Sequence, residues 1–215
     1  MRVFFWNING VSREEARCKL HELVKEFKPD IFCLAEPKVS CSNIFIRRLK
    51  LNGYDTNVIH NSSDYSISNL WVFTSTELDI SVVVNMSRQT ISISVDGVCI
   101  TFVHASYLQV TRRRLWEQLN MDNVDIPWLL IGDFNCILRL EEKKGGREPH
   151  TCAINEFGDW MEDNLLFEAD ALGNKFTWSN CQSGSRRIIS KLDRAVINAT
   201  WLAKYENWRC KALPR

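Results

Sequence analysis

The sequence predicts an α/β fold with a functional site at the ends of its strands. Apolar runs of strand length, such as Arg2–Asn7 and Pro29–Ala35, end abruptly on polar residues. Between these two runs, apolar residues recur at the spacing of a helix. Strands that alternate with helices form layered α/β structures, in which ligands bind preferentially at the ends of the sheet.

Length and composition restrict the class of protein. The 215 residues suffice for a substantial core, and we expect residues 1–215 to form a single domain. A net charge of +1 excludes a uniformly basic nucleic-acid-binding chain but allows a local basic patch. The eight cysteines lack zinc-knuckle spacing, so we expect reduced thiols and a nuclear or cytoplasmic location. With no signal-peptide layout and no apolar run of membrane-spanning length, we expect no membrane partner.

Local patterns predict the elements of the first half of the chain. Ser12-Arg13-Glu14-Glu15 has the spacing of a capping box, which predicts a helix with Ser12 as its N-cap and an end before Pro29. A second, short helix is expected around Cys41–Leu51. Alternation or β-branched enrichment predicts strands at Tyr54–His60, Ser68–Thr74, Leu78–Asn85 and Gln89–Val95.

The second half begins with the strongest hairpin signal in the chain, Asp96-Gly97, whose return strand ends at His104. Helical spacing predicts helices at Thr111–Asn120 and Thr151–Asn164. The remaining β segments are expected at Trp128–Ile131, Phe176–Asn180 and Ile188–Ile197.

The strand Trp128–Ile131 ends in Gly132-Asp133-Phe134-Asn135. Asp133 and Asn135 are two residues apart, which places both side chains on one face if the strand continues. Taken alone, this stretch is more often a turn closed by an Asx hydrogen bond. Asp193, predicted at the middle of its strand, has a structural alternative as a partner of Arg186 or Arg187.

Polar side chains at the other strand ends suit phosphate chemistry. Glu36 follows the second strand, and a carboxylate suits Mg²⁺ or Mn²⁺, which takes few protein oxygens. The amides of Asn7 and Asn135 can donate to a phosphoryl oxygen without adding negative charge. A buried carboxylate such as Asp133 can orient or deprotonate a water molecule. His104 is either a phosphate contact or a structurally satisfied polar residue.

Four short motifs in this order resemble the endonuclease/exonuclease/phosphatase superfamily, which has the deoxyribonuclease I-like fold. They are Trp6-Asn7-Ile8-Asn9-Gly10, Pro29-Asp30-Ile31-Phe32-Cys33-Leu34-Ala35-Glu36, Gly132-Asp133-Phe134-Asn135 and Leu192-Asp193-Arg194. Phe176-Thr177-Trp178-Ser179-Asn180 is similar to the endonuclease domains of plant LINE-type retrotransposons. The resemblance implies a four-layer αββα sandwich, a Mg²⁺- or Mn²⁺-dependent phosphodiesterase and DNA as the partner. The sequence does not define the oligomeric state, for which a monomer is our expectation.

The resemblance also implies residue roles. Glu36 would be the main metal ligand, with Asn9 near the metal. Asn7 and Asn135 would contact the scissile phosphate, and Asp133 would orient the nucleophilic water. His104 would be a phosphate donor or general acid, and Asp193 would orient a catalytic histidine.

That last histidine belongs to a Ser-Asp-His motif that this sequence does not contain. We therefore expect a chain truncated before the motif, without its final strand or strands and impaired as a nuclease, because losing one member of a cooperating catalytic set costs orders of magnitude in rate. Two alternatives are a non-catalytic remnant that binds DNA or a protein, and a phosphoinositide or lipid phosphodiesterase of the same fold.

Overall fold

The computed structural model of the protein describes residues 1–64, 66–78, 81–120 and 125–213. These residues form several β-sheets and five α-helices, so the predicted α/β fold is confirmed. The helices are α1 (Glu14–Phe27), α2 (Asn43–Leu49), α3 (Gln109–Gln118), α4 (Thr151–Asp163) and α5 (Ala199–Lys204). The strands are β1 (Val3–Asn7), β2 (Ile31–Ala35), β3 (Ile59–His60), β4 (Leu70–Thr74), β5 (Val82–Met86), β6 (Thr90–Val95), β7 (Val98–His104), β8 (Trp128–Asp133), β9 (Lys143–Lys144), β10 (Leu166–Glu168), β11 (Ala171–Gly173), β12 (Trp178–Ser179), β13 (Ile189–Ser190), β14 (Asp193–Asn198) and β15 (Cys210–Ala212).

The chain divides into two compact units. Unit 1 comprises Met1–Asp96 and Ile100–His104, and unit 2 comprises Gly97–Cys99 and Ala105–Arg215. The strand β7 therefore contributes residues to both units. The hairpin predicted at Asp96-Gly97 joins β6 to β7, and both turn residues have positive φ, 51° and 71°, as a type I′ turn requires.

Unit 1 contains a sheet with the strand order β1-β2-β4-β3. The strands β1 and β2 are parallel and are connected through α1, while the other pairs are antiparallel. The register pairs Asn7 with Ala35, so the side chain of Asn7 lies beside the end of β2, where Glu36 follows. Fully buried side chains from α1, β2 and β4, among them Leu20, Phe32 and Trp71, form the core beneath the sheet. Burial of such side chains stabilises each by about 1.5–3 kcal/mol, which holds the strand ends in place.

Several element boundaries in unit 1 differ from the predictions. The capping box is wrong: Arg13 is the N-cap of α1 and makes no side-chain cap hydrogen bond. The carbonyl of Ser12 instead accepts a hydrogen bond from the Arg17 guanidinium at 2.6 Å. Only Ile59–His60 of the predicted strand Tyr54–His60 is a strand. Of the predicted strand Leu78–Asn85, Asp79 and Ile80 lie outside the described residues, and β5 covers Val82–Met86.

Unit 2 is built on the antiparallel pairing of β14 with both β8 and β10. Two small sheets accompany it, one with the order β12-β13-β9 and one with the parallel pair β11 and β15. The predicted strand Ile188–Ile197 is wrong as a single element, because the chain leaves the strand conformation at Lys191-Leu192. Asp193 therefore begins β14 and does not lie at the middle of a strand.

An aromatic cluster forms the core of unit 2. Trp116 of α3 stacks on Phe157 and Trp160 of α4, with ring centroids 5.0 and 4.8 Å apart. Phe134 joins this cluster 5.2 Å from Phe157 and is completely buried. Since Phe134 separates Asp133 from Asn135 in sequence, its burial fixes the backbone on which both polar side chains are carried.

No described helix has both the length and the apolar character that crossing a membrane would require. All eight cysteines are free thiols. Burial raises the pKa of the Cys41 thiol to about 11, so this thiol is protonated at neutral pH.

Candidate active site

Glu36 follows the fully buried strand β2 and is the central carboxylate of unit 1. Its backbone has a left-handed conformation, with φ of 52°, and its amide donates to the carbonyl of Asn69 at 2.9 Å. A non-glycine residue in this conformation costs about 1–2 kcal/mol, and such strain is concentrated at functional sites. The Glu36 side chain remains 30% exposed, so a ligand can reach it.

Three donors surround the Glu36 carboxylate. The Asn7 amide donates to Oε1 at 2.8 Å, and Nε2 of His104 lies 3.3 Å from the same oxygen. The Lys38 ammonium is 3.3 Å from Oε2. The hydrogen bond from His104 is the largest cause of a pKa for Glu36 of about 2; burial opposes this lowering, and Asn7 and Lys38 add to it. The carboxylate is therefore ionised at neutral pH.

The Lys38 ammonium contacts both predicted metal ligands. Besides its ion pair with Glu36, it donates to Oδ1 of Asn9. Asn9 and Lys38 also have left-handed backbones, with φ of 49° and 58°. A carboxylate and an amide oxygen thus converge on one cation.

Asn7 contributes a further oxygen to this place. Its Oδ1 is buried without a hydrogen-bond partner, although its nitrogen is committed to Glu36. A buried polar atom without a hydrogen-bond partner costs about 1–3 kcal/mol of stability. A ligand that contacts this oxygen would remove the cost. Among the described residues, no three His, Cys, Asp or Glu side chains form a metal-binding group. The oxygens of Glu36, Asn9 and Asn7 are nevertheless the kind of donor that Mg²⁺ accepts, since it uses few protein ligands and keeps several waters.

His104 ends β7 and connects Glu36 to a residue that the sequence patterns did not single out. While Nε2 faces Glu36, Nδ1 lies 2.5 Å from the side-chain nitrogen of Asn69. The His104 side chain is 14% exposed. The structure thus brings together Asn7, Asn9, Glu36 and His104 of the predicted site, all in unit 1.

Unit 2 carries the other predicted residues. The buried Asp133 accepts a hydrogen bond from the Asn135 backbone amide at 2.8 Å, so the Asx turn considered as an alternative is present. Asn135 has a φ of 47°, and its side-chain nitrogen donates to the carbonyl of Ala105 at 2.8 Å. The amide of Ala105 donates to the carbonyl of Asp133, also at 2.8 Å. This double connection fixes the strand end that carries Asp133 and Asn135.

Asp193 lies directly opposite Asp133 in the antiparallel ladder of β14 and β8. Residues opposite each other in such a ladder project to the same face. The hydroxyl oxygen of Thr177 accepts the backbone amides of Leu192 and Asp193, at 3.0 and 2.9 Å. Thr177 thereby fixes the start of β14, and the structure brings Asp133, Asn135 and Asp193 together in unit 2.

A buried group of charges next to Asp193 was also missed by the sequence patterns. The Arg194 guanidinium is 3.0 Å from both Glu142 and Glu168, and it donates to the carbonyls of Cys136 and Lys191. Arg194 follows Asp193 at the start of β14 and directly precedes the apolar run Ala195-Val196-Ile197; a charge next to a buried run is the signal that could have indicated it. It connects the residue after Asn135 with the segment before Asp193.

Comparison with known protein families identifies the family to which the chain belongs. The profile of the Endonuclease/Exonuclease/phosphatase family matches residues 4–205. The chain therefore belongs to this family, whose members generally depend on a divalent metal. No curated protein sequence matches the chain.

Solved structures share the fold at low sequence identity. The 3′-5′ exonuclease NExo from Neisseria meningitidis has a TM-score of 0.67 at 14% identity, and the match covers 99% of this chain and 96% of that one. A variant of the 3′ phosphatase NExo from Neisseria, bound to a product DNA hairpin, gives 0.65 at 15% identity, covering 94% and 88%. The endonuclease domain of TRAS1, a telomere-specific non-LTR retrotransposon, gives 0.64 at 14% identity, covering 94% and 87%. These similarities establish the deoxyribonuclease I-like fold.

Proposed function

We propose that the protein is a metal-dependent phosphodiesterase that nicks DNA, an endonuclease of the LINE retrotransposon type with water as its nucleophile. The observation that carries the proposal is the ionised, accessible Glu36 carboxylate, held in a strained backbone beside an unpartnered amide oxygen. Family membership supports hydrolysis of phosphate esters. The motif Phe176-Thr177-Trp178-Ser179-Asn180 supports the plant LINE type, and the structural similarity to the TRAS1 domain supports a retrotransposon endonuclease.

Glu36 and Asn9 would hold the metal, Mg²⁺ or Mn²⁺. The Lys38 ammonium already occupies a position in contact with both side chains, which supports a site for a cation there. When bound, the metal would neutralise negative charge on the phosphate. Its hard oxygen ligands favour Mg²⁺ or Mn²⁺ over softer metals.

The remaining residues would bind the substrate and position water. Asn7 and Asn135 would donate to the phosphate through their amides, which carry no charge to repel it. Asp133, buried and fixed by the Asx turn, would orient the water. His104 would donate from Nε2 to a phosphoryl oxygen. Asp193, beside Asp133 in the ladder, would orient a histidine that this sequence does not supply.

A non-catalytic remnant that binds DNA is the second candidate, and the contacts of Lys38 favour it. An ammonium that satisfies Glu36 and Asn9 competes with a metal for the same oxygens. In this case the charged side chains would serve stability and binding rather than hydrolysis.

Plasmid nicking in Mg²⁺ and in Mn²⁺ distinguishes the candidates. We expect the wild type to nick and both Glu36→Ala and Asp133→Ala to lose at least about 100-fold in rate, as removal of one strong transition-state contact does. A matched control is Glu162→Ala, an exposed acid on α4 that should leave the rate unchanged. If wild type and variants nick equally, the nicking does not come from the site assigned to Glu36 and Asp133. If none nicks while all bind DNA, the remnant is correct. Hydrolysis of phosphoinositides without nicking would identify the lipid phosphodiesterase.

We also predict that the absence of a Ser-Asp-His motif from residues 1–215 lowers the nicking rate. The same assay tests this by comparing residues 1–215 with a version extended by that motif, which should nick faster. We further propose a single domain, supported by the family match over residues 4–205, and a monomer in the nucleus or cytoplasm, supported by the free thiols.

A further inference from the structure

We propose that Asn69 is the positioning residue of His104, and that it holds the neutral imidazole in the tautomer whose Nε2–H points at Glu36. The role assigned to that hydrogen, donation to a phosphate, rests on the proposed function. The tautomer itself does not.

The contacts of the two ring nitrogens determine the assignment. Oε1 of Glu36 accepts the Asn7 amide and lies 3.3 Å from Nε2 of His104, so this ring nitrogen is placed to carry the hydrogen. In a neutral ring Nδ1 is then an acceptor and needs a donor. The side-chain nitrogen of Asn69, 2.5 Å away, is that donor. The opposite tautomer would place a bare Nε2 against a carboxylate oxygen, leaving two acceptors in contact.

Asn69 is itself held by a second buried amide. Oδ1 of Asn61 accepts the backbone amides of Asn69 and Leu70, both at 2.9 Å. The side-chain nitrogen of Asn61 donates to the carbonyls of Ser87 and Arg88, at 2.9 and 3.0 Å. Asn61 is only 8% exposed and uses both of its polar atoms in this way. It therefore connects the start of β4 to the turn before β6.

Asn69 also acts on the backbone of Glu36, since its carbonyl accepts the Glu36 amide at 2.9 Å. One residue thus fixes the left-handed residue that carries the carboxylate and the imidazole that faces it. Two donors, the Asn7 amide and Nε2–H of His104, consequently converge on the same oxygen, Oε1 of Glu36. An aspartate at position 69 could not provide this arrangement, because a carboxylate requires a hydrogen on Nδ1.

The test is nitrogen NMR of the ¹⁵N-histidine-labelled protein without metal or substrate at about pH 9, above the usual histidine pKa of about 6.5. The variant His104→Asn identifies the resonances by their loss. We expect Nδ1 of His104 to have the ¹⁵N chemical shift of an unprotonated ring nitrogen, and Nε2 to have that of a protonated one. A protonated Nδ1 in the wild type overturns the proposal, even if the protein nicks DNA.

Two variants extend the test. Asn69→Leu should populate the other tautomer, and Asn69→Asp should place a hydrogen on Nδ1, whereas Asn52→Leu, an exposed asparagine of the same unit, should change neither nitrogen. If the proposed function holds, Asn69→Leu also lowers kcat by about 10–100-fold with little change in KM, as loss of a supporting hydrogen bond does. A wild-type tautomer that persists in both variants contradicts the role of Asn69. Because the NMR measurement needs no activity, an inactive protein tests the proposed function separately.

Discussion

Glu36 and Glu142 are both carboxylates whose pKa lies below its usual range, yet their surroundings are opposite. The Glu142 side chain is 2% exposed and is held by Arg194 at 3.0 Å, the Leu138 amide at 2.7 Å and Arg139 at 3.4 Å. Burial opposes the ionisation of Glu142, but the charge and hydrogen bond of Arg194, with the Leu138 amide, outweigh it and lower the pKa. Glu36 is 30% exposed and is held mainly by an imidazole and an amide.

The difference distinguishes a charged side chain that stabilises the fold from one that is placed to bind a ligand. The Arg194 guanidinium uses both terminal nitrogens, and its face lies 5.4 Å from the ring of Phe157; its Nε has no hydrogen-bond partner. No side of Glu142 is left for a ligand. Glu36 combines exposure, a strained backbone and a neighbouring unpartnered oxygen, which are costs that stability alone does not explain.

The largest effect is expected for Arg194→Ala. This change leaves the buried Glu142 without its main partner and removes one of the cations that hold Glu168, which Lys191 also contacts at 2.8 Å. Breaking a buried ion pair typically costs about 3–5 kcal/mol. Chemical denaturation measures the loss. Arg139→Ala is the matched control, because Arg139 reaches the same two carboxylates at 3.4 and 3.5 Å but is 59% exposed. It should cost less than about 1 kcal/mol. Equal costs for the two variants would remove the structural role assigned to the buried arginine.

Replacing each glutamate by glutamine sharpens the comparison. Glu142→Gln removes a charge-assisted hydrogen bond inside the protein and should lower the free energy of unfolding by about 1.5–3 kcal/mol. Glu36→Gln should lower it less than Glu142→Gln does, since the Lys38 ammonium that pairs with Glu36 is 56% exposed. The nicking assay should give the reverse order, with Glu36→Gln the more damaging. A Glu36→Gln variant as unstable as Glu142→Gln would assign Glu36 to the fold.

The smallest effect concerns the pKa of Glu36, expected at about 2 in a pH titration of its carboxyl carbon by NMR. His104→Ala should raise this pKa more than Lys38→Ala, because the hydrogen bond from His104 is the larger cause. A lowered folded-state pKa contributes stability that is complete above the unfolded value of about 4.3 and is lost as the pH falls through the folded value. A titration near the ordinary value would show that the donors around Glu36 are not engaged in solution.

Much of the site was predictable because its residues stand directly at the ends of apolar runs of strand length. Asn7, Glu36 and His104 each end an apolar run, and the physical reason is general: a chain that leaves a sheet must expose polar groups where ligands can reach them. Asp133 and Asn135 were predictable for the same reason. The unbroken apolar run Trp128–Ile131 indicates a buried strand, and β8 ends on Asp133, one residue after the glycine.

The supporting residues could not be predicted in this way. Asn69 and Asn61 precede or follow short strands in polar surroundings, and only the tertiary register brings them to His104. The break at Lys191-Leu192 was missed because no glycine or proline marks it, so Asp193 was placed mid-strand. The capping box failed because Ser12 lies one residue before the actual N-cap, Arg13. The positions of Asn69, Asn61 and Asp193 depend on contacts between segments, which local periodicity does not contain, whereas the capping-box error is local.

The left-handed backbone at Asn9, Glu36, Lys38 and Asn135 has a consequence for how the sequence can change. Asparagine tolerates this conformation, so positions 9 and 135 satisfy backbone and chemistry together. Glutamate and lysine adopt it at a cost of about 1–2 kcal/mol, as Lys28 and Lys50 do at the C-caps of α1 and α2, so a lineage selected only to fold would favour glycine or asparagine at positions 36 and 38. If positions 36 and 38 are randomised, variants selected for activity should therefore keep Glu36 and Lys38. Variants selected only for folding should lose them, and sequencing both selected pools measures the difference.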